Sequence, residues 1–314
     1  TSVEYVTAVN SATSALHIAC LALGVKDGDY VWTVPNTFVA SANCALFCGA
    51  KIDFIDIDPV TSNLSVDLLK QKLSLAERSG LLPKVVIPVH LSGEPCDMAT
   101  IKELSTKYGF KIIEDASHAI GGFYHGKPVG SCEYSDITVF SFHPVKIVTS
   151  GEGGAALTKC SELDKRLKLL RSHGITRDKG LMYYPNNDAW YYEQIDLGFN
   201  YRMTDLHAAL GVSQLRRLSE YVDKRHAIAE IYDQEFNETT IQKPFRDLSN
   251  KSAMHLYIVQ VDPKKHSYIF RLLREKNVGV NLHYIPVHTQ PYYQKLGFAW
   301  GDFPNSEAYY KKAI

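Results

Sequence analysis

The chain contains 314 residues, of which 45% are hydrophobic, and its 34 basic residues balance 34 acidic ones. This length can supply two domains with substantial cores, and the balanced charge excludes the strong field expected of proteins that bind nucleic acid or anionic membranes. No apolar run approaches the roughly 20 residues of a membrane span, and the N-terminus has no signal-peptide pattern, so the default prediction is a cytoplasmic location.

Short apolar strands alternate with amphipathic helices in the first part of the chain. Strands are predicted over residues 5–9, 30–34, 51–58, 84–90, 111–115 and 137–142. Helices are predicted from Asn10 or Ser11 to Gly24, from residue 36 onward, and over 65–73 and 98–108, with Gly109 as a stop signal. This alternation predicts a doubly wound, mostly parallel α/β sheet whose ligands lie at the carboxyl ends of the strands.

The pattern changes in the second part of the chain. Helices are predicted over 162–172, 203–218, about 214–236 and 265–276, and strands over 253–262 and 279–284. We therefore expect a large α/β domain over residues 1–213 and a smaller α+β domain over residues 214–314. Residues 178–193 form a polar, aromatic and irregular segment that could clasp a sugar or nucleotide or serve as a dimer contact.

Two common site chemistries have no signature here. No GxGxxG motif follows the first strand, so the fingerprint of a nicotinamide-binding fold is missing. The six cysteines are dispersed, with no CxxC pair and no histidine at ligand spacing. We expect reduced thiols in the core and no metal site.

A lysine follows the strand predicted at 137–142. Lys146 lies just beyond that strand, and the glycines within Gly151–Gly154 allow the backbone to turn tightly and approach a bound group. A buried lysine loses proton affinity through desolvation and can form a Schiff base with an aldehyde. For an arbitrary lysine, an exposed position at the surface is the more common outcome.

A carboxylate at the end of another strand supports a cofactor site. Asp115 ends the strand at 111–115 and is followed by Ala116-Ser117-His118. An acid in this position can pair with the pyridinium nitrogen of pyridoxal phosphate, which allows the ring to act as an electron sink. Lys146 and Asp115 together predict such a site.

Thr13 and Ser14 begin a predicted helix that is rich in hydroxyl groups. Free backbone amides and hydroxyls at the start of a helix can hold a phosphate group. The same pattern is at least as typical of a plain N-cap.

Four motifs follow one another through nearly the whole chain. They are Asn10-Ser11-Ala12-Thr13-Ser14-Ala15-Leu16, Glu114-Asp115-Ala116-Ser117-His118-Ala119, Ser141-Phe142-His143-Pro144-Val145-Lys146 with Glu152-Gly153-Gly154, and Gly198-Phe199-Asn200-Tyr201-Arg202-Met203. In these motifs the chain resembles the DegT/DnrJ/EryC1/StrS family of sugar aminotransferases. Within that family, residues 141–146 and 283–287 are most similar to the C4 aminotransferases of pseudaminic acid biosynthesis.

The resemblance implies a fold type I structure that binds pyridoxal phosphate. It implies that Lys146 holds the cofactor as an imine and shuttles a proton, and that Asp115 keeps the ring nitrogen protonated. Further contacts are implied with the phosphate for Thr13, Ser14, Ser141 and Asn200, with the ring for Phe38, with the phenolic oxygen for His118, and with the substrate for His143, His283 and Tyr284.

The resemblance also concerns assembly and chain length. In similar enzymes the residue at Asn200 reaches the cofactor of the neighbouring subunit, which implies a homodimer with shared active sites. Relatives continue beyond both ends, so both ends are expected to be truncated. From the residues alone, other interpretations stay open: Phe38 as a core residue, Asn200 as a turn residue, His118 as a structural histidine, and His283 with Tyr284 as a partly buried pair.

The expected activity is a transamination that uses pyridoxal phosphate. The amino group would come from an amino acid, with glutamate as the usual donor of the family. It would pass to the C4 carbonyl of a UDP-linked 4-keto-6-deoxy-N-acetylhexosamine, for the synthesis of pseudaminic acid or another bacterial surface glycan.

Three alternatives remain at this stage. One is a dehydratase of the same family, although relatives of that kind carry histidine where Lys146 stands. Another is a noncatalytic protein that binds pyridoxal phosphate, and a third is an inactive truncated product.

Overall fold

A seven-stranded sheet lies at the centre of the computed structural model, which describes residues 1–184 and 188–314. The strands of the described residues are β1 (Tyr5–Val9), β2 (Tyr30–Thr33), β3 (Lys51–Phe54), β4 (Val85–Val86), β5 (Lys111–Asp115), β6 (Phe123–Tyr124), β7 (Lys127–Pro128), β8 (Ile137–Ser141), β9 (Gly154–Thr158), β10 (Ile175–Thr176) and β11 (Glu193–Gln194). The central sheet has the order β1-β9-β8-β5-β4-β2-β3. Strands β8, β5, β4, β2 and β3 run parallel, whereas β9 is antiparallel to both neighbours. The predicted mostly parallel α/β sheet is confirmed.

Helices cover the sheet. The described residues contain α1 (Ala12–Ala22), α2 (Ala40–Phe47), α3 (Val66–Ser79), α4 (Met98–Tyr108), α5 (Ser161–Arg171), α6 (Asp205–Leu215), α7 (Leu218–Glu235), α8 (His266–Glu275), α9 (Pro291–Gln294) and α10 (Pro304–Tyr310). None of these helices combines the length and the apolar composition that a membrane span requires.

Local sequence signals set the start of α1 and both ends of α4. The Ser11 hydroxyl accepts a hydrogen bond from the Ser14 amide at 3.1 Å and so caps α1. Asp97 caps α4 by accepting a hydrogen bond from the Thr100 amide at 3.1 Å. Gly109 ends α4 with a φ of 80°, a conformation that glycine adopts without steric cost. The helix predicted over 98–108 is therefore confirmed.

Helix α1 lies in the core, with its first turn close to the start of β9. Leu16, Ile18 and Ala19 are almost fully buried and pack in one cluster with residues of β8 and β9. A Cβ at Gly154 would lie 2.5 Å from the amide nitrogen of Ala12, so only glycine permits this approach. The packing holds the N-terminus of α1 beside the strands that flank Lys146.

The last part of the chain packs on the central sheet. Tyr293 shares a core cluster with Phe54 of β3, and its hydroxyl donates a hydrogen bond to Asn43 at 2.6 Å. Asp56, which follows β3, accepts hydrogen bonds from the amides of Asn305 and Ser306 at 2.8 and 2.9 Å. The division of the chain at residues 213 and 214 stays a prediction.

Two predicted strands of the C-terminal part are wrong. Residues 253–262 and 279–284, all of them described, form no regular strand and make isolated bridges only at Gln260. The amide of His255 instead donates to the carbonyl of Ser92 at 2.8 Å. Alternating apolar residues indicate an extended segment with one buried side, but a strand also needs a hydrogen-bonded neighbour.

Other differences concern boundaries. Pro88 cannot donate a hydrogen bond, and the strand predicted over 84–90 is reduced to β4, with an isolated bridge between Val89 and Asp115. The helix predicted from residue 36 begins at Ala40, and the strand predicted over 51–58 ends at Phe54. Within the aromatic segment at 178–193, residues 185–187 lie outside the described residues.

Candidate active site

A cavity of about 400 Å³ opens where β5 and β8 end and α1 begins. The predicted site residues that line it are Thr13, Phe38, Asp115, His118, Ser141, His143, Lys146, His283 and Tyr284. Two surface depressions of about 520 and 500 Å³ are larger, but their linings contain none of the predicted site residues. The chemistry therefore identifies the smaller cavity as the candidate site.

Asp115 is buried at the end of β5 with both carboxylate oxygens occupied. Its Oδ2 accepts a hydrogen bond from the Ser41 hydroxyl at 2.6 Å. Its Oδ1 accepts hydrogen bonds from the Ser117 hydroxyl at 2.6 Å and from the Ser117 amide at 3.1 Å. An ionised carboxylate can only accept hydrogen bonds, so these donors fix its orientation as an anion.

The acid next to it in sequence, Glu114, serves a different purpose. Successive side chains of a strand point to opposite faces of the sheet, so the side chain of Glu114 points away from the cavity. It is buried and accepts a hydrogen bond from Nε2 of the fully buried His90 at 3.0 Å. Nδ1 of His90 accepts a hydrogen bond from the Cys96 amide at 3.1 Å. This buried pair closes the back of the sheet behind the cavity.

Lys146 lies in the turn after β8, where its amide donates to the carbonyl of His143 at 2.9 Å. The residue is partly buried and lines the same cavity as Asp115. Burial lowers the pKa of the Lys146 amine to about 8, and the negative charge of Asp115 opposes part of that shift. A substantial fraction of this amine is therefore neutral near physiological pH.

Neutral aromatic side chains form the opposite wall. Tyr284 Oη lies 3.1 Å from Nε2 of His118, whose ring centroid is 4.4 Å from that of His255. Burial, reinforced by the charge of Lys146, lowers the pKa of His118 well below its usual range and that of His255 to about 2. The pKa of His283 is lowered for the same two reasons. These histidines are uncharged at neutral pH.

The N-terminus of α1 closes another side of the cavity. Ser11, Ala12 and Thr13 line it, together with Ser141 at the end of β8 and Gly153 just before β9. The first amides of a helix have no intrahelical acceptor and favour an anion. This end of the cavity can hold a phosphate group.

Ser14 and Asn200, both described, lie outside the cavity lining. The Ser14 hydroxyl, in the first turn of α1, donates a hydrogen bond to the side chain of Asn10, which precedes the helix, at 2.6 Å. Asn200 is exposed, and its carbonyl oxygen lies 3.4 Å from the Asn10 side-chain nitrogen. A phosphate contact by either residue stays a prediction, and that of Asn200 concerns the neighbouring subunit.

Sequence reasoning missed several residues at this site. Ser117 could have been found, because a serine two positions after an aspartate commonly bonds back to it. Ser41 had no such signal, since its partner Asp115 is 74 residues away. His255 is also distant in sequence and stood inside a predicted strand. Phe38, by contrast, is 58% exposed at the mouth of the cavity, so it is not a core residue.

Comparison with known proteins identifies the family. The DegT/DnrJ/EryC1/StrS aminotransferase family matches residues 1–314. A Campylobacter jejuni UDP-4-amino-4,6-dideoxy-N-acetyl-beta-L-altrosamine transaminase is 39% identical over 301 residues, or 94% of this chain and 75% of the relative. The pyridoxal phosphate form of the putative sugar aminotransferase Spr1654 from Streptococcus pneumoniae is 30% identical, with a TM-score of 0.89 over 100% of this chain and 81% of that chain. Helicobacter pylori PseC, an aminotransferase involved in the biosynthesis of pseudoaminic acid, is 29% identical, with a TM-score of 0.87 over 99% and 81% of the two chains.

The chain therefore belongs to the DegT/DnrJ/EryC1/StrS aminotransferase family, and the members similar to it include sugar aminotransferases. It is an aminotransferase of fold type I, and its cofactor is pyridoxal phosphate.

The residues of the cavity fit this cofactor. Lys146 offers an amine that can be neutral, Asp115 offers a carboxylate held by three hydrogen bonds, and the start of α1 lines the cavity. Nδ1 of His118 is buried and has no hydrogen-bond partner among the described residues. An acceptor oxygen on a bound group would satisfy it.

Proposed function

We propose that this chain transfers an amino group from an amino acid, with glutamate as the donor, to the C4 carbonyl of a UDP-linked 4-keto-6-deoxy-N-acetylhexosamine. Lys146 and Asp115 line one cavity, and this single observation carries the proposed transamination. The names of the similar C. jejuni transaminase and of H. pylori PseC support a UDP-linked dideoxy sugar and a role in pseudaminic acid synthesis.

The proposed chemistry divides between the lysine and the acid. Bound pyridoxal phosphate supplies an electron sink. Lys146 Nζ anchors the cofactor and then takes up and returns a proton, for which a pKa of about 8 is well matched to neutral pH. Asp115, oriented by Ser41 and Ser117, presents negative charge to the ring nitrogen. The uncharged histidine wall adds no positive charge that would weaken this pairing.

The other predicted residues that line the cavity take binding roles in this proposal. Thr13 and Ser141 contact the phosphate together with the start of α1, and Phe38 covers the ring from the mouth of the cavity. His118 faces the phenolic oxygen. His143, His283 and Tyr284 border the space left for the sugar. Each of them lines the cavity, which supports the assignment.

A homodimer is part of the proposal. Helix α6 carries no buried residue, and even its apolar side chains are open to solvent: Leu206 is 84% exposed and Val212 is 53% exposed. Leu210 and Leu215 of the same helix are each 42% exposed, and several exposed apolar side chains on one helix often mark a contact with another molecule. Asn200 precedes α6 and is also exposed, so a partner seated on this helix would bring the two sites close together.

One assay tests the reaction. The purified protein is given glutamate and a panel of nucleotide-linked 3-keto and 4-keto sugars, and products are identified by mass spectrometry and NMR. We expect a 4-amino sugar and the matching 2-keto acid. Loss of a sugar hydroxyl without gain of nitrogen would indicate the dehydratase, and bound cofactor without any product would indicate a noncatalytic protein.

A pair of variants tests the role of Lys146. Lys146→Ala should lower turnover by about 1,000-fold or more, because both the anchor and the proton carrier are lost. Lys70→Ala is the matched control, since Lys70 is exposed on α3 and pairs with Asp67. Borohydride reduction followed by peptide mapping should label Lys146 alone. Full turnover by Lys146→Ala would contradict the mechanism.

A further inference from the structure

His118 has one occupied and one unoccupied ring nitrogen. The residue is 5% exposed and lines the cavity. Its Nε2 lies 3.1 Å from the hydroxyl oxygen of Tyr284, and its Nδ1 has no hydrogen-bond partner among the described residues. Which nitrogen carries the proton decides whether His118 offers a donor or an acceptor to a bound group.

Two proton arrangements are compatible with the distance between Tyr284 and His118. If Tyr284 donates to Nε2, the proton of His118 is on Nδ1, and this N–H is then the one donor of the pair that has no partner among the described residues. If Nε2 donates to Tyr284, both the phenolic proton and the Nδ1 lone pair lack partners. Unpaired buried polar groups are costly, and a phenol is a better donor than an imidazole N–H, so the first arrangement is favoured.

The surroundings keep both groups in the required protonation states. Burial raises the pKa of Tyr284, helped by the negative charge of Asp115, so the phenol retains its proton. Burial and the charge of Lys146 lower the pKa of His118, so the imidazole stays neutral. The amide of Tyr284 donates to Asn36 Oδ1 at 3.1 Å, which holds the tyrosine in place.

We propose that Tyr284 is a positioning residue that fixes His118 as the Nδ1–H tautomer, so that Nδ1 presents one donor to an anionic oxygen of the bound cofactor. In the proposed function Tyr284 borders the space for the sugar, and the positioning role comes in addition to that. It rests on the proposed function, in which His118 lies beside the cofactor. It predicts that the oxygen facing His118 is held as an acceptor, which a fixed donor stabilises in its ionised form.

NMR of the cofactor-free protein tests the tautomer directly. The protein is labelled with ¹⁵N-histidine, and long-range ¹H–¹⁵N spectra distinguish protonated from unprotonated ring nitrogens. His118→Gln identifies the signals of His118. We expect a protonated Nδ1 and an unprotonated Nε2. A protonated Nε2 in the unmodified protein would overturn the proposal.

A variant tests the link to Tyr284. Tyr284→Phe keeps the ring and removes the hydroxyl, so His118 should shift toward the Nε2–H form that imidazole side chains prefer in water. Pyridoxal phosphate should then bind about 5- to 100-fold more weakly, the loss expected for one charge-assisted hydrogen bond. Unchanged His118 signals, or unchanged cofactor affinity, would contradict the positioning role.

Tyr292→Phe is the matched control, because Tyr292 is 58% exposed on α9 and lies outside the cavity lining. It should change neither the His118 signals nor the affinity for pyridoxal phosphate. Both readouts are independent of the sugar substrate. If the protein does not aminate the sugar, the His118 tautomer and the affinity for pyridoxal phosphate can still be measured. If those two measurements contradict the positioning role, the amination assay still tests the proposed function.

Discussion

The amine of Lys146 shows what burial does to a single residue. Because its pKa is lowered to about 8, the rate at which the cofactor-free protein reacts with pyridoxal phosphate should rise with pH, reach half of its maximum near pH 8 and level off about one pH unit higher. The neutral amine is the attacking species, and an ordinary lysine would continue to gain reactivity up to about pH 10.4. Initial rates followed by absorbance across this pH range check the midpoint.

Asp115→Asn supplies the control for the Lys146 titration. The charge of Asp115 raises the pKa of Lys146, so its removal should move the midpoint of the rate profile to lower pH. A midpoint close to that of a free lysine, or a shift to higher pH in the variant, would show that burial does not govern this amine.

Cys48 is a second residue with altered reactivity. It is partly buried, and the neighbouring Cys20 and His17 lower the pKa of its thiol to about 6 against the opposing effect of burial. Its alkylation by iodoacetamide should rise up to about pH 7 and then stay level, since the thiolate is the nucleophile. Peptide mass spectrometry in a Cys160→Ser background measures the rate without the exposed thiol. A continued rise of about tenfold between pH 7 and 8.5, typical of an ordinary cysteine, would contradict this prediction.

At the scale of one element, the start of α1 depends on the absence of a side chain at Gly154. Gly154→Ala would place a Cβ 2.5 Å from the Ala12 amide and 2.6 Å from the Ser11 carbonyl carbon. We expect the free energy of unfolding to fall by about 1–3 kcal/mol, and the affinity for the cofactor phosphate to fall as the first turn of α1 is displaced. Denaturant titration and phosphate-competition binding measure the two effects.

Gly279→Ala is the matched control for Gly154→Ala. Apart from Gly279 and its chain neighbours, no atom of the described residues lies within 4 Å of the position that its Cβ would occupy, so stability should change little. Equal losses in the two variants would show that close packing against α1 is not the cause.

Elements whose signals are local could be predicted from the sequence, and elements that depend on distant partners could not. Asp97 and Gly109 lie at the ends of α4, and the predicted boundaries of that helix are confirmed. The segment at 253–262 has a strand-like pattern, but the amides at its start bond to the turn at Ser92 and Gly93, and those near its end bond to Gln242 and to residues 312–314. None of these acceptors belongs to a regular strand. The hydrophobic pattern of a segment does not indicate which other segment its backbone will bond to.

The same limit applies to the candidate site. Lys146 and Asp115 could be predicted as site residues because each lies at or just beyond the carboxyl end of a strand, and the carboxyl ends of parallel strands share one edge of a sheet. Ser41 reaches Asp115 across 74 residues, and His255 reaches His118 from beyond α7. These contacts arise from tertiary packing, and the order of residues alone does not reveal them.

At the scale of the whole molecule, the exposed apolar face of α6 predicts self-association. We expect a dimer by analytical ultracentrifugation, because Leu206 and Leu210 would otherwise remain exposed to water. Leu206→Glu with Leu210→Glu should produce a monomer with an intact circular dichroism spectrum. It should also lose transamination if Asn200 completes the neighbouring site.

Leu75→Glu controls for the added charge, since Leu75 is 65% exposed on α3. This variant should remain dimeric. A monomeric unmodified protein, or a double variant that still dimerises, would contradict the assignment of α6 to the interface.

The alternation of side chains along β5 places two neighbouring acids on opposite faces of the sheet. Asp115 faces the cavity, while Glu114 is sealed behind the sheet with His90. A slip of one residue in the pairing of β5 with β8 would exchange them, offering a longer carboxylate to the ring and leaving a shorter one to reach the imidazole. The buried hydrogen bond between Glu114 and His90 therefore favours the observed strand alignment. The pairing of β5 with β8 thus decides which of the two acids faces the cavity.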